Sequence, residues 1–191
     1  GATGAEFKAL EADALRLGSA TRFSASEVSG LQLEFAKLGF TSSEITKVTE
    51  ATLALAQASD SDLATAAEVA GSTLRAFGLD ASETQRVTDV MASSFSSSAL
   101  DMSLFKDSMK FVAPVAKAAG LSIEETSAML AALANNGIKG SQAGTALRRI
   151  IQELGTGSGT VSEKIAALNE SGLNLTSSFD EVGRGASRAL L

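Results

Sequence analysis

The sequence predicts an all-α protein, an array of short capped helices packed as helical pairs, with the character of a compact, solenoid-like bundle and no sheet. Three observations predict it. One seven-residue junction recurs, as GFTSSEI at 39–45, GLDASET at 78–84 and GLSIEET at 120–126. Proline occurs once, at Pro114, and apolar residues recur at intervals of three and four with no sustained two-residue alternation. The aromatics are nine Phe and nothing else, while Ala, Ser and Thr are abundant, which suits closely spaced helices that bury modest area per residue.

Each junction opens with a glycine, Gly39, Gly78 or Gly120, suited to the left-handed position that closes a helix. A large apolar residue follows: Phe40, Leu79 or Leu121. Then Thr41, Asp80 and Ser122 offer a side-chain oxygen to cap the next helix, and Glu44, Glu83 and Glu125, three residues on, complete a capping box. FSASEV at 23–28 repeats the device with Ser24 and Glu27 and adds a Phe23–Val28 staple. The junction glycines stand 39 and 42 residues apart, room for two helices in each interval.

Along the chain, Phe7, Leu10, Ala14 and Leu17 form one apolar stripe on a first helix ending near Gly18. Ile45, Val48 and Leu55 follow, then, after ASDSD at 58–62, Leu63, Ala67, Ala70, Leu74 and Phe77. The second interval carries Val87, Val90, Met91 and Phe95, then, after SSSALD, Leu104, Phe111, Val112 and Val115. Pro114 is expected to kink or restart that helix, because it lacks a donor and clashes with the preceding turn. A helix over 122–135 ends at Asn136 and Gly137, and Ser141 is expected to cap a last helix bearing Ala143, Leu147, Ile150, Ile151 and Leu154. GTGSGT at 155–160 reads as a flexible joint before a short helix from Ser162 to Asn169 and a tail. The expected segments are therefore 1–19, the end of a preceding helix; 20–155, the helical domain; and 156–191, the joint and tail.

Composition narrows function. A net charge of −6 and a pI near 4.8 argue against general binding to a phosphate backbone. With no His and no Cys, imidazole triads, thiol nucleophiles and the usual zinc ligands are excluded, so no enzyme, cofactor or metal is expected. No apolar run approaches the ~18–20 residues of a membrane span. The opening residues lack a signal-peptide pattern, and the first glycines suit a remnant of cloning on a chain cut from a longer one.

NNGIKGSQAGTALRR at 135–149 resembles a phosphate loop at first sight. A Walker loop needs Lys after its last glycine and a strand before it, whereas Ser141 follows Gly140 and no strand is expected. GIKG at 137–140 matches the short clamp of KH domains, a pattern too brief to outweigh the acidic balance. The stretch reads as the turn inside the third helical pair. The acidic pairs Glu124/Glu125 and Asp60/Asp62 sit at helix starts, where carboxylates meet free N–H groups. Met91, Met102, Met109 and Met129 fit core or half-buried positions. Lys139, Arg148 and Arg149 are the candidate partner-contact residues, against the plainer reading of a solvated face.

The runs ATRFSASEVSGLQLEFAKLGFTSSEI, LRAFGLDASETQRVTDVMASS and FKDSMKFVAPVAKAAGLSIEETSAMLAALANNGIKGSQAGTALRRIIQEL closely resemble the core region of phage tail tape-measure proteins. The most specific pieces are Ala20–Phe23 with Ser24 and Glu27, Phe77–Leu79, Val112–Ala116 and residues 136–148. The resemblance covers about residues 20–155, with one departure, VSGLQLEF, where the family has a run of small residues. It implies a non-enzymatic virion component that sets tail tube length and leaves with the genome. Implied partners are the tail tube protein, tail assembly chaperones and baseplate or tail-tip proteins, in the virion tail and, during assembly, the host cytoplasm. Self-association and transient contact with the host membrane are further expectations; specific nucleic-acid binding is not.

A fully helical 191-residue chain would span roughly 290 Å, but the glycine breaks divide it, so a compact docking or initiation module is expected in place of a measuring rod. Small side chains and the lack of disulfides suit a module that opens to pass along a narrow tube. Two other readings stay open: a free-standing α-helical repeat adaptor, from the period near 40 residues, and a membrane-active helical module, from the Ala and Gly content.

Overall fold

A computed structural model describes residues 4–155 as eight α-helices and one 3-10 turn, with no strand among them. The helices are α1 (Gly4–Ala20), α2 (Ala25–Lys37), α3 (Ser42–Ala58), α4 (Leu63–Phe77), α5 (Thr84–Ser97), α6 (Met102–Ala118), α7 (Ile123–Asn135) and α8 (Gly140–Gly155), with the 3-10 turn at Ala81–Glu83. The joint at 156–160, the Ser162–Asn169 helix and the tail expected from the sequence lie outside the described residues.

The chain divides into two compact units, the first ending at Asp89 and the second beginning at Val90. In the first, α2 packs on α1, α3 and α4 around Val28, Leu31, Phe35, Val48, Leu55, Ala67, Ala70 and Leu74, all buried. A buried polar contact fixes α1 against α2: the Gln32 amide donates to the Leu10 carbonyl at 3.2 Å and to Asp13 at 3.4 Å, and Arg16 bonds the same carboxylate at 2.8 Å. In the second unit, α6 and α8 share the most extensive interface and α7 packs on both. Its core includes Phe105, Val112, Ala116, Leu130, Ala143, Leu147 and Ile151.

Four helices close in one way. Gly39, Gly78, Gly120 and Gly137 all take positive φ, and the residue after each donates its N–H back to a carbonyl five positions earlier: Phe40 to Phe35, Leu79 to Leu74, Leu121 to Ala116 and Ile138 to Leu133. This is the Schellman arrangement, and it explains the apolar residue after the glycine: Phe40 and Leu121 are buried against the helices they end and Leu79 is half-buried, while Ile138 stands exposed. A fifth closure lacks glycine. Asp60 takes φ 49° after α3, and Ser61 donates to the Ala56 carbonyl at 3.0 Å. Aspartate is among the few residues other than glycine that take this backbone readily.

Several sequence expectations fail for local reasons. α1 runs through Gly18 to Ala20; that glycine is a contact point, since a Cβ on it would lie 2.5 Å from the Ala25 backbone nitrogen. Phe7 stands off the core at 65% exposure, although Ala14 and Leu17 of the same stripe are buried. Pro114 does not restart α6, which runs as one helix from Met102 to Ala118 with the proline on its exposed side. Water can serve the carbonyl left without a donor there. Phe111 and Ile150 of the expected stripes are exposed, and Leu63, Val90, Phe95, Leu104, Val115 and Leu154 are half-buried.

Candidate functional site

The predicted caps set the helix starts. At α2, α3 and α7 the box is complete. The N–H groups of Ser24, Thr41 and Ser122 donate to Glu27, Glu44 and Glu125 at 2.7, 2.7 and 2.8 Å, and each glutamate N–H donates back to the hydroxyl. Each hydroxyl also donates its own proton to the glutamate, at 2.7, 2.9 and 2.9 Å. The backbone N–H of Ser24 or Thr41, then the hydroxyl, holds the Glu27 or Glu44 carboxyl below its ordinary range.

The Asp80–Glu83 box does not form. Asp80 accepts from the Ser82 N–H at 2.9 Å and from the Ser82 hydroxyl at 2.7 Å, ahead of a 3-10 turn, while Glu83 turns to Arg86 at 2.8 Å. The cause is chemical. A hydroxyl cap can donate to the glutamate of a box, whereas an ionised aspartate has no proton to give and repels it. The Ser82 bonds hold Asp80 below its ordinary range, and the Thr65 hydroxyl and amide do the same for Asp62, the cap of α4.

The glycine-rich stretch is a turn followed by a packing seam. The Gly137 and Ile138 N–H groups are spent on the Ala134 and Leu133 carbonyls at 3.0 and 2.9 Å, so they do not converge on an anion. The Asn136 amide donates to Ala132, and Asn135 accepts from the Ala99 N–H, which ties the turn to the segment before α6. α8 then begins at Gly140, so Ser141 lies inside its first turn and is not its cap.

Gly140 and Gly144 are what the sequence reading missed. Gly140 takes φ 57°, and a Cβ on it would lie 3.4 Å from Leu104 and 3.9 Å from Asp107. A Cβ on Gly144 would run into the backbone carbonyl of Ser108. The Ser108 hydroxyl lies 2.8 Å from both the Leu104 and the Gly140 carbonyl oxygens. Gly144 therefore lets α8 settle directly on the α6 backbone, with Ala143, Leu147 and Ile151 continuing the buried face, whereas Gly140 is needed for its left-handed φ at the start of the helix.

Of the candidate contact residues, Lys139 sits on the exposed turn and Arg148 and Arg149 on the exposed side of α8; no side-chain contact among the described residues brings the three together. Arg75 carries a role that sequence gave no sign of. Its guanidinium donates to the Gly39 carbonyl at 3.0 Å and stacks 4.1 Å over the Phe40 ring, so one cation closes α2 and covers the residue that ends it. Among the described residues there is no group of three or more acidic, His or Cys side chains placed to hold a metal, and no helix long and apolar enough to cross a membrane.

The profile of the phage-related minor tail protein family matches residues 11–191, spanning both units and the seam. The chain belongs to that family. The tape measure protein of Pneumococcus phage Dp-1 is 41% identical over 154 residues, 81% of this chain. The probable tape measure protein of Escherichia phage P2 is 34% identical over 174 residues, 91% of this chain. The chain covers 13% and 21% of the lengths of these two relatives, so it corresponds to a region of such proteins. No solved structure matches it.

Proposed function

We propose that this chain is a compact helical module within a phage tail tape-measure protein, one that docks the tape measure onto the tail assembly and leaves the metering to longer extended segments. The observation that carries this is the pairing of two facts: relatives bearing the tape-measure name match nearly the whole chain, and the matched region is short helices folded on one another. A ruler gains length from rise per residue, and helices of 13–17 residues folded back at glycine turns give little of it. The role is structural, without catalysis or cofactor, and its place is the virion tail after assembly in the host cytoplasm. The tail tube protein, the tail assembly chaperones and the baseplate or tip proteins are its partners, with Lys139, Arg148 and Arg149 as contact residues. Release with the genome requires the module to open, which two small units without disulfides permit.

In-frame deletion of residues 4–155 from the parent gene tests this in the virion, by electron microscopy of tails. Loss or misassembly of tails is expected. Tails that assemble normally but are shorter by the segment's straight helical length, roughly 230 Å, would make the segment part of the ruler instead.

A further inference from the structure

At the middle of α2, Gly30 has an ordinary helical backbone, and a Cβ built on it would meet nothing within 4 Å. The chain's own packing therefore does not ask for glycine there, and glycine inside a helix is less stable than alanine. The space beside it is a cleft of ≈ 400 Å³ with Phe23, Leu31 and Leu63 on its apolar side and Glu27, Glu34 and Asp62 around it. Lys37 pairs with Glu34 at 2.7 Å, and Arg22 stacks on Phe23 and faces Asp60 at 3.6 Å. Glu27 completes the cap box of α2 and Asp62 caps α4, and neither has a cation among the described residues. The cleft is thus apolar within, negative at its rim, and bare of side chain where a visitor would touch α2.

The chain also exposes a complementary shape. Residues 135–139 are five consecutive exposed positions, and at the tip of that turn stand Ile138, 39% exposed, and Lys139, which has no ion pair among the described residues. The N–H groups of Gly137 and Ile138 are already spent, so what the turn offers outward is an apolar side chain beside a cation.

We propose that this cleft receives the 135–139 turn of a second copy of the chain, with Ile138 over Gly30 against Leu31 and Leu63, and Lys139 between Glu27 and Asp62. The contact joins two different surfaces, so it is head-to-tail and each copy keeps one free cleft and one free turn. Charge and shape together favour this occupant: the rim of the cleft is acidic, and Ile138–Lys139 pairs a cation with exposed apolar surface on a turn, whereas Phe7–Lys8, Leu15–Arg16, Lys110–Phe111 and Arg149–Ile150 do so along helices.

Sedimentation of the 191-residue chain tests it. Wild type is expected to self-associate with rising concentration, and more weakly as salt screens the rim. Ile138→Ser, Lys139→Glu and the cap-preserving pair Glu27→Gln with Asp62→Asn should each weaken association about tenfold. Gly30→Ala should weaken it equally while raising the melting temperature by roughly 2–5 °C, a combination that a purely structural glycine cannot give. Mixing Lys139→Glu with Gly30→Ala should restore a dimer, because one copy supplies an intact cleft and the other an intact turn. A wild type that stays monomeric at about 1 mM, or variants that associate as wild type does, overturns the proposal, as does a mixture that remains monomeric.

Discussion

The seam between α6 and α8 and the capped junctions at the starts of α2, α3 and α7 both rest on short, readable sequence patterns, yet different physics holds them. The junctions are exposed, polar and reciprocal: the cap residue's N–H and hydroxyl donate to the glutamate carboxylate, and the glutamate N–H donates back to the hydroxyl. The seam is buried and steric, set by the absence of a side chain at Gly144 where α8 meets Ser108. A junction that loses a bond can turn to water, so its loss is graded. A seam that gains a methyl group has nowhere to put it. The comparison teaches that glycine in this chain has two uses, closing helices by backbone conformation and joining them by lacking bulk.

The largest expected effect lies in the seam. Gly144→Ala presses its methyl group onto the Ser108 carbonyl and should lower the urea unfolding free energy of the second unit by about 3 kcal/mol. A loss no larger than that of a cap would place the seam in the same class as the junctions. At the junctions, Thr41→Ala should cost about 1 kcal/mol. Asp80→Ala should cost about half that, because Asp80 lacks the reciprocal glutamate bond. Equal losses would mean that the hydroxyl proton adds nothing to a box.

How much of this was legible follows from the same contrast. Glycine, apolar residue, oxygen, then glutamate is a local pattern, so Gly39, Gly78 and Gly120 and three of the four boxes could be read directly, and Gly137 from the Asn-Gly pair that ends its helix. Asp80 failed because residue spacing does not say which group has a proton to donate. Gly18 and Gly144 were misread or missed because their cause lies on another helix, at Ala25 and Ser108, and Gly140 because its left-handed φ opens a helix instead of closing one. Arg75 is 36 positions from Gly39, a distance no local pattern spans. The candidate contact residues Lys139, Arg148 and Arg149 were legible as exposed cations and no more.

Acid should separate junctions from seam. The bonds at Glu27, Glu44, Asp62 and Asp80 hold these carboxyls below their ordinary range in the folded chain. Their contribution is complete above the ordinary carboxylate range and disappears as pH falls through the lowered values. Melting temperature against pH should therefore stay level from neutrality and drop below that range, and Thr41→Ala should make the drop shallower. A drop just as steep in Thr41→Ala would remove the link between box and titration. The smallest effect is expected at Asp60, whose left-handed backbone suits glycine better: Asp60→Gly should stabilise by about 0.5 kcal/mol, since its exposed pairing with Arg22 contributes little. Destabilisation would show that the ion pair outweighs the backbone.

The most direct test of the seam is urea unfolding of Gly144→Ala beside Gly30→Ala, the same methyl group added to two helical glycines. Opposite signs are expected: a loss of about 3 kcal/mol at Gly144, where the Ser108 backbone blocks it, and a gain of roughly 0.5–1 kcal/mol at Gly30, where the space is open. Changes of the same sign at both positions would contradict the account.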